Sequence, residues 1–499
     1  MKKNIFLLPL VFFSFTCIAE ENQAPRITHG VAIGDVESRT AVIWSRADRE
    51  AKMKVTAHSP SREKIAGTTG VRADDDYTGQ VLLEGLEPNT HYEYKVWFEL
   101  SQGNKSKIAV GRFKTAPKKH QKQAVKIAWS GDFAGQNVCR DKKLGFPVFK
   151  AIHREGADLF IGLGDMIYAD NTCEAVGKYG NRQVPGNFTR SADLADFWAH
   201  WRYAREDPAF QKLLATTAYY GIWDDHEVVN DFGPLQDTRN STPYSEAVHL
   251  LPIGLKAFLD YTPIRKSPRT PNRLYRNIRW GKHLELFFLD NHQYRDANLA
   301  TDHPKRRKTM LGREQLAWLK ERIHASDATW KVLVSSVPIS IPTGQPQNLG
   351  RDGWGNDDGN TDPTIEGIPQ SDTGFEQELM EIVKFLRDKK ANTLFITTDV
   401  HFAEAFKYTP FKDGSYSFHE IVVGPGNAGL FPNRAFDKTL GTESLFFFGP
   451  EDADDVTTWK EALNWFNYAT IGIDDAGELA VDIKNTWGES VYSLHLLPE

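Results

Sequence analysis

The sequence predicts a layered α/β core, β-sheets flanked by helices, behind an N-terminal β-sandwich, and three observations carry that prediction. Residues 26 to 116 alternate short apolar runs with turn residues and contain no convincing helical period. From Val125 onward, apolar strands alternate with segments of helical period, the pattern of sheets covered by helices. At 499 residues the chain is several times the usual domain length, and 40% hydrophobic with 25% charged residues is enough apolar side chain for two large cores. Disordered, collagen-like and disulfide-dense classes are thereby excluded. With 60 basic and 66 acidic residues the net charge of −6 creates no field that would hold a polyanion. The one basic cluster, Lys305-Arg306-Arg307-Lys308, precedes an amphipathic stretch, Glu314 to Ile323, and reads as the solvated start of a helix. No nucleic-acid-binding module and no obligate protein partner are expected.

Taken in order, the first residues are an address. Lys2 and Lys3 form a positive n-region, Ile5 to Phe15 is apolar apart from Pro9 and Ser14, and Cys17-Ile18-Ala19 is a small-x-small cleavage site. Residues 1–19 are therefore expected to be a Sec-type signal peptide cleaved near Ala19, and the protein periplasmic or secreted. Cys17 as a lipoprotein cysteine is the alternative, with Phe15 and Thr16 a poor match to the small residues that such processing prefers. No later run reaches the length of a membrane-spanning helix. In 26–116, Val42-Ile43-Trp44, Val81-Leu82-Leu83 and Tyr92 to Phe98 are strand-like at period two. Leu86 to Tyr92 has the spacing that places a tyrosine at a sandwich corner, bonding back to upstream backbone, and resembles a fibronectin type III module. Pro117 to Gln123 is a linker. Strands are then predicted at Ile127–Trp129, Leu159–Leu163, Ala218–Trp223, Leu284–Leu289, Lys331–Ser335 and Thr393–Thr397, with terminal strands over Tyr468–Leu497. Helices are predicted at Phe146–Glu155, Asp193–Arg205, Pro208–Ala215 and Glu376–Arg387. Thr343 to Gly374, rich in Gly, Asp, Asn and Pro, is too long for a mere connection and reads as a functional loop or insertion.

After signal removal only Cys139 and Cys173 remain, each several residues beyond an apolar strand. In an oxidising compartment two such cysteines usually pair, and parallel neighbouring strands would bring their loops to one sheet edge; two separate buried thiols are the alternative.

The chemical signal lies just past the strand ends. Ser130-Gly131-Asp132, Gly164-Asp165, Asp224-Asp225-His226-Glu227, Asp290 and Thr398-Asp399-Val400-His401 each close an apolar run. In an α/β sheet such positions lie at the carboxyl ends of strands and converge on one crevice. One Gly-Asp is commonly a turn, and an Asp-Asp-His-Glu run alone is commonly a capped helix start. Their joint occurrence at five strand ends is much harder to obtain by chance. Crowded carboxylates repel, and hard metal cations are the economical counter-charge.

With those residues in view, the chain resembles the PhoD family of alkaline phosphatases and phosphodiesterases within the calcineurin-like metallophosphoesterases. His29 to Asp35 with Ile43-Trp44-Ser45-Arg46 is similar to the family's N-terminal β-domain. Gly164 to Asp170, Trp223 to Val228, Leu289-Asp290 with Tyr294-Arg295, and Asp399-Val400-His401 match its catalytic blocks. The resemblance implies domains at 26–116 and 124–499 and a metal set of Asp132, Asp165 as the bridging residue, Tyr168 as a phenolate, Asp225, Asp399 and His401. It implies two or more divalent or trivalent cations, calcium with iron. Ala134 stands where the usual first-motif histidine would be, and Phe133 rather than a cysteine adjoins Asp132, which bears on iron more than on metal. Cys139 as a metal ligand remains the alternative to its disulfide.

The chemistry so implied is hydrolysis of small phosphate esters, monoesters or diesters, by metal-activated hydroxide. His226, beside Asp225, is the candidate to protonate or orient the leaving oxygen, and Asn230 and Arg295 are candidates to bind phosphate oxygens. A phospholipase D-like or nucleotide phosphodiesterase is the neighbouring reading, with Leu445-Phe446-Phe447-Phe448 as a lipid-facing mouth. A non-catalytic calcium-binding adhesion or scaffold protein, docking through Trp44 and Trp97, is the reading from another class.

Overall fold

The computed structural model describes residues 23–233, 247–296, 302, 305, 307–343, 353–355 and 374–498. The expected signal segment lies outside them, as does most of the span from Thr343 to Gly374. Seven strands come first: β1 (Ile27–Gly34), β2 (Thr40–Ala47), β3 (Ala51–Ser59), β4 (Arg62–Val71), β5 (Thr78–Glu84), β6 (His91–Glu99) and β7 (Ala109–Lys114). Next in the chain are β8 (Val125–Ser130), α1 (Pro147–Arg154), β9 (Leu159–Gly162), α2 (Leu194–Arg205), α3 (Pro208–Thr216), β10 (Ala218–Gly221) and α4 (Ala247–Tyr261). The third group is β11 (Arg276–Trp280), β12 (Leu284–Phe288), α5 (Gly312–Ala325), β13 (Trp330–Val334), α6 (Glu376–Asp388) and β14 (Thr393–Thr397). Last come β15 (Ala403–Tyr408), β16 (Phe418–Val422), β17 (Thr442–Phe448), α7 (Trp459–Ala462), β18 (Asn467–Ile473), β19 (Leu479–Asn485) and β20 (Ser490–Leu496).

These strands make three sheets, ordered β4-β3-β6-β7, β20-β19-β18-β8-β9-β10-β1-β2-β5, and β11-β12-β13-β14-β16-β15-β17. Local chemistry explains the elements. Strand β6 alternates buried and exposed side chains, as a half-solvated antiparallel strand must. The short parallel trio β8, β9 and β10 is almost wholly buried and almost wholly apolar. Asp193 and Asp207 cap α2 and α3 by accepting backbone N–H bonds, and Pro208 fills a first-turn position of α3 where no donor is needed. Glu87 N donates to the Tyr92 hydroxyl at 2.9 Å, the corner bond that the spacing predicted.

The sandwich is less separate than its pattern suggests. Its strands β1, β2 and β5 continue the long sheet, joined where β1 pairs with β10 at Gly34 and Tyr219. A bare edge on the four-residue β10 would be a liability, and β1 covers it. Gly34 permits the approach, since a Cβ there would lie 2.4 Å from the Pro263 carbonyl oxygen.

The nine-stranded and seven-stranded sheets share a core. Leu286, Phe288, Val332, Val334, Leu394 and Ile396 pack with Ile127, Trp129 and Ile161, and the Tyr220 and Phe288 rings meet at 6.0 Å. The opposite face of the seven-stranded sheet, through Phe287, Leu333 and Phe395, packs on Trp318 and Leu319 of α5 and Leu379 and Val383 of α6. Each fully buried side chain of this size contributes about 1.5–3 kcal/mol before entropy is subtracted. Phe149 of α1 and Phe210 of α3 stack at 4.2 Å over the outer face of the nine-stranded sheet.

Four expectations meet their outcome in these contacts. Cys139 and Cys173 are joined in a disulfide, with Cα atoms 5.8 Å apart, across the loops after the parallel neighbours β8 and β9. That bond occupies the Cys139 sulfur, so the alternative of a metal-ligating Cys139 falls away. The basic cluster is not wholly solvated: Lys308 is buried with Nζ 4.9 Å from the Phe375 ring, while Arg307 pairs with Glu381 at 3.1 Å. Leu445 to Phe448 lies in β17 and is half-buried, Phe446 stacking on Tyr492 and Phe448 meeting Trp465. Trp44 is fully buried, its indole donating to the Asp260 carbonyl. Among the described residues no helix is long and apolar enough to cross a membrane.

Candidate metal centre

The strand-end carboxylates do gather, but from two sheets rather than one. Asp132, Asp165, Asp224 and Asp225 come after β8, β9 and β10 of the nine-stranded sheet, whereas Asp399 and His401 come after β14 of the seven-stranded one. An apolar run reports that a strand is buried, not which sheet it joins. Oxygen or nitrogen atoms of Asp132, Asp165 and His401 lie within 4.8 Å of one another, as do those of Asp165, Asp225 and His226, and those of Asp224, Asp225 and Asp399. Asp165 and Asp225 each belong to two of these groups, the placement expected of a bridging ligand. Asp399 is only half-buried, which sets the third group nearest solvent.

Tight loops hold them. Asp132, Asp165, Asp399 and His401 all have positive φ, at +60°, +51°, +83° and +60°. Such conformations cost up to about 1–3 kcal/mol each, least for aspartate, and persist only where surroundings enforce them. Gly424 is part of that enforcement: at φ +132° it passes so close that a Cβ would lie 2.0 Å from Asp132 Oδ2.

The hydrogen bonds leave a consistent set of oxygens over. Asp132 Oδ2 accepts from the Thr398 hydroxyl at 2.7 Å, Asp165 Oδ1 from His226 N at 3.1 Å, and Asp225 Oδ2 from Asp231 N at 2.5 Å. Asp132 Oδ1, Asp165 Oδ2, Asp224 Oδ2 and Asp225 Oδ1 are buried with no hydrogen-bond partner. Burial, and then the charges of neighbouring aspartates, push the Asp132 and Asp165 carboxyls well above the usual range, although the Thr398 bond opposes this at Asp132. Burial and the same anions raise the Tyr168 phenol.

The histidines divide into two kinds. His401 donates through Nδ1 to the Gly429 carbonyl, so its Nε2 carries the lone pair, 2.7 Å from the Tyr168 hydroxyl and 4.0 Å from Asp132 Oδ1. Burial holds this ring neutral, at about 3, with the charges of His226, Arg434 and Lys178 acting in the same direction. A neutral imidazole oriented by a backbone carbonyl is the form that binds metal. His292 is the other kind: Nε2 meets Asp224 Oδ1 at 2.7 Å and Nδ1 meets the Phe232 carbonyl at 3.2 Å, so both nitrogens face acceptors, which favours the protonated ring. Burial opposes that charge, but the bond to Asp224 outweighs it and the pKa is raised.

His226 stands between. Its Nδ1 is 2.7 Å from Asp170 Oδ1, and its ring stacks on Tyr168 at 4.1 Å. The Asn230 backbone N–H donates to Asp170 Oδ2, which sets Asn230 one step from His226. Arg295 is buried and donates through Nη2 to the carbonyls of Asp231 and Phe232, so it braces the turn whose N–H holds Asp225. Asp290 is consumed by its own turn, accepting from Trp223, His292 and Gln293.

Four residues of the site receive no role from the sequence: Asp224, Glu227 and Asp170, which lie inside the motifs quoted above, and His292, which lies in none of them. Glu227 accepts from the backbone N–H groups of Asp165, Met166 and Asp224 and so fastens two ligand loops together, while burial raises its carboxyl to about 8. A signal for His292 existed, since Asp290-Asn291-His292 repeats the spacing of Asp399-Val400-His401.

Four buried carboxylate oxygens aimed at a shared volume, with His292 as the neighbour of Asp224 able to carry a positive charge, fit cations and little else. The donor set is dominated by oxygen, which favours hard ions.

Comparison with known proteins agrees with this architecture. Residues 127–484 match the family model described as PhoD-like phosphatase, and residues 14–117 match that of the PhoD-like phosphatase N-terminal domain. Alkaline phosphatase D of Bacillus subtilis (strain 168) is 25% identical over 464 residues, covering 84% of this chain and 74% of that protein. A solved structure of PhoD superposes with a TM-score of 0.73 at 21% identity, over 96% of this chain and 91% of that one. The purple acid phosphatase PPD1 of yellow lupin seeds superposes with a TM-score of 0.62 at 13% identity, over 95% and 74%. At these identities the two structural likenesses establish the fold.

Proposed function

The chain belongs to the PhoD-like phosphatase family and is a phosphoric ester hydrolase, and from that premise we propose an exported, metal-dependent enzyme of the alkaline phosphatase type acting on small phosphate monoesters and diesters. One observation carries the metal dependence: the partnerless buried oxygens of Asp132, Asp165, Asp224 and Asp225, contributed by three neighbouring strand ends. Asp132, Asp165, Asp225, Asp399, His401 and the phenol oxygen of Tyr168 would hold two or more cations, with Asp224 added to the set. Calcium suits the carboxylates, and a trivalent ion such as Fe³⁺ suits a site that includes a phenolate. Bound there, cations would polarise the phosphoryl oxygens and supply hydroxide near neutral pH.

The chain's own residues do the rest. His226, fixed by Asp170 and by stacking on Tyr168, would give a proton to the leaving oxygen. Asn230 presents a half-buried amide beside it for a phosphoryl oxygen. Arg295 holds the 231–232 turn through Nη2 and would offer Nη1 to a phosphoryl oxygen. Glu227 keeps the Asp165 and Asp224 loops in register. The Cys139–Cys173 disulfide supports an oxidising compartment and hence export.

The test is hydrolysis of a chromogenic monoester and a chromogenic diester, before and after chelation, with elemental analysis of the purified protein. Turnover that chelation abolishes and a specific cation restores is expected. Bound metal without turnover of either ester would favour the calcium-binding scaffold.

A further inference from the structure

We propose that Phe431, Arg434 and Lys178 form a leaving-group subsite beside His401, and that it selects phosphate esters whose leaving group carries a second phosphate. The proposal rests on the phosphoesterase reading above and deepens it.

The segment after Gly429 is tied to the metal loops at several points. Gly429 accepts from His401 Nδ1 and donates to Gln136 Oε1 at 3.1 Å, and Leu430 N donates to the Tyr179 hydroxyl at 2.9 Å. Phe431 then lies flat on the His401 imidazole, with centroids 4.3 Å apart and planes 6° from parallel. The opposite end of this short segment carries Arg434, whose guanidinium carbon is 5.3 Å from the Phe431 ring centre. Lys178 adjoins Tyr179, its Nζ 5.5 Å from that ring. A half-buried aromatic ring thus lies against His401, and two exposed cationic side chains sit on the segments tied to it through Leu430 and Tyr179.

Those cations are not used by the fold. Lys178 and Arg434 are both exposed, and among the described residues neither has a carboxylate at ion-pair distance. Each is paired only with an aromatic face. Arg434 reaches the ring that stacks on His401, and Lys178 stands next to the tyrosine whose hydroxyl receives Leu430 N. Beyond a strongly acidic centre, two exposed positive charges without a carboxylate partner among the described residues attract whatever anion extends past the scissile phosphate. A monoester with a neutral leaving group has nothing to offer them. An ester with a second phosphate does.

Glycerol 1-phosphate and glycerol 1,3-bisphosphate differ only in that second group, so the experiment compares their kcat/KM by release of inorganic phosphate. Two charges acting on a dianion near the surface, partly screened by salt, give a preference of about tenfold for the bisphosphate. In a Lys178→Ala/Arg434→Ala double variant the ratio of the two values should fall about tenfold, chiefly through KM, and Arg434→Lys should keep most of it. Raising the salt should erode the wild-type ratio and leave that of the double variant unmoved. A ratio unaltered by the double substitution overturns the subsite while leaving the phosphoesterase reading intact. Absence of turnover of both esters, with every cation tried, removes both.

Discussion

Two regions of this protein bury aspartates, and they resolve the charge in opposite ways. At the junction of the sandwich with α2 and α4, Asp76 receives Arg46 at 2.7 and 3.1 Å, Arg202 at 2.6 Å and the Tyr261 hydroxyl. Burial acts to raise this carboxyl, but the bonds from Arg46 and Tyr261 and the charges of Arg46 and Arg202 outweigh it, and Asp76 sits below its usual range. At the strand ends, four aspartates keep one oxygen each without a partner, and Asp132 and Asp165 are raised instead. Buried carboxylates are therefore no sign of function by themselves. The missing counter-charge is the sign, because a site that the chain leaves unneutralised is one that something else neutralises.

The largest effect that would break this contrast is on turnover. Asp165→Asn removes a carboxylate shared by two ligand groups, and kcat should fall by about a thousandfold or more. The metal-free variant should melt no lower than metal-free wild type, since it loses a repelled charge. Substantial turnover would remove Asp165 from its bridging place. The matching change at the other region, Asp76→Asn, should do the reverse. It strands Arg46 and Arg202, so a loss of about 3 kcal/mol of stability by denaturant titration is expected, with little change in turnover by the folded fraction. Chelation comes next. At a cation concentration about a hundred times its Kd, bound metal stabilises by about 2.7 kcal/mol, so a chelator should lower the melting temperature of wild type far more than that of Asp165→Asn.

The smallest effect is on pH, and its sign differs between the regions. Glu227 is raised to about 8 and Asp132 and Asp165 are raised as well, so the chelated folded protein holds more protons than the unfolded chain near neutrality. Its stability should rise by about 1 kcal/mol per pH unit as pH falls from about 8 to 6. Asp76 is depressed, so its contribution is present above the unfolded value of 3.8 and is lost as pH falls further. Thermal melts with chelator across both ranges test this. Asp76→Asn should flatten the acid limb alone.

Much of this was legible in the chain because it depends on period and position. The strands before Asp132, Asp165, Asp225 and Asp399 are apolar runs, and a residue just past a strand end has few places to go. The pairing of Cys139 with Cys173 came from two parallel strands with adjacent loops. Pairing between distant segments lay beyond reading. Asp224 is next to Asp225, and no loop periodicity says that both face one volume. His292 becomes the partner of Asp224 only because β12 brings it under the β10 loop. Nothing in the alternation of β1 announces that it will pair with β10, nor in the run of Lys308 that the side chain will be covered by Phe375.

The bond between β1 and β10 has a practical consequence for anyone dissecting the molecule. Arg276 grips Asp35, just past β1, and also reaches the carbonyl of Gly221 that ends β10, two residues ahead of Trp223 and the ligand pair. A chain trimmed to start at residue 124 would lose Asp35 and expose a raw strand margin. Such a fragment should precipitate, or survive with slackened ligand loops, so the front module is better regarded as part of the frame that holds those loops than as a detachable appendage.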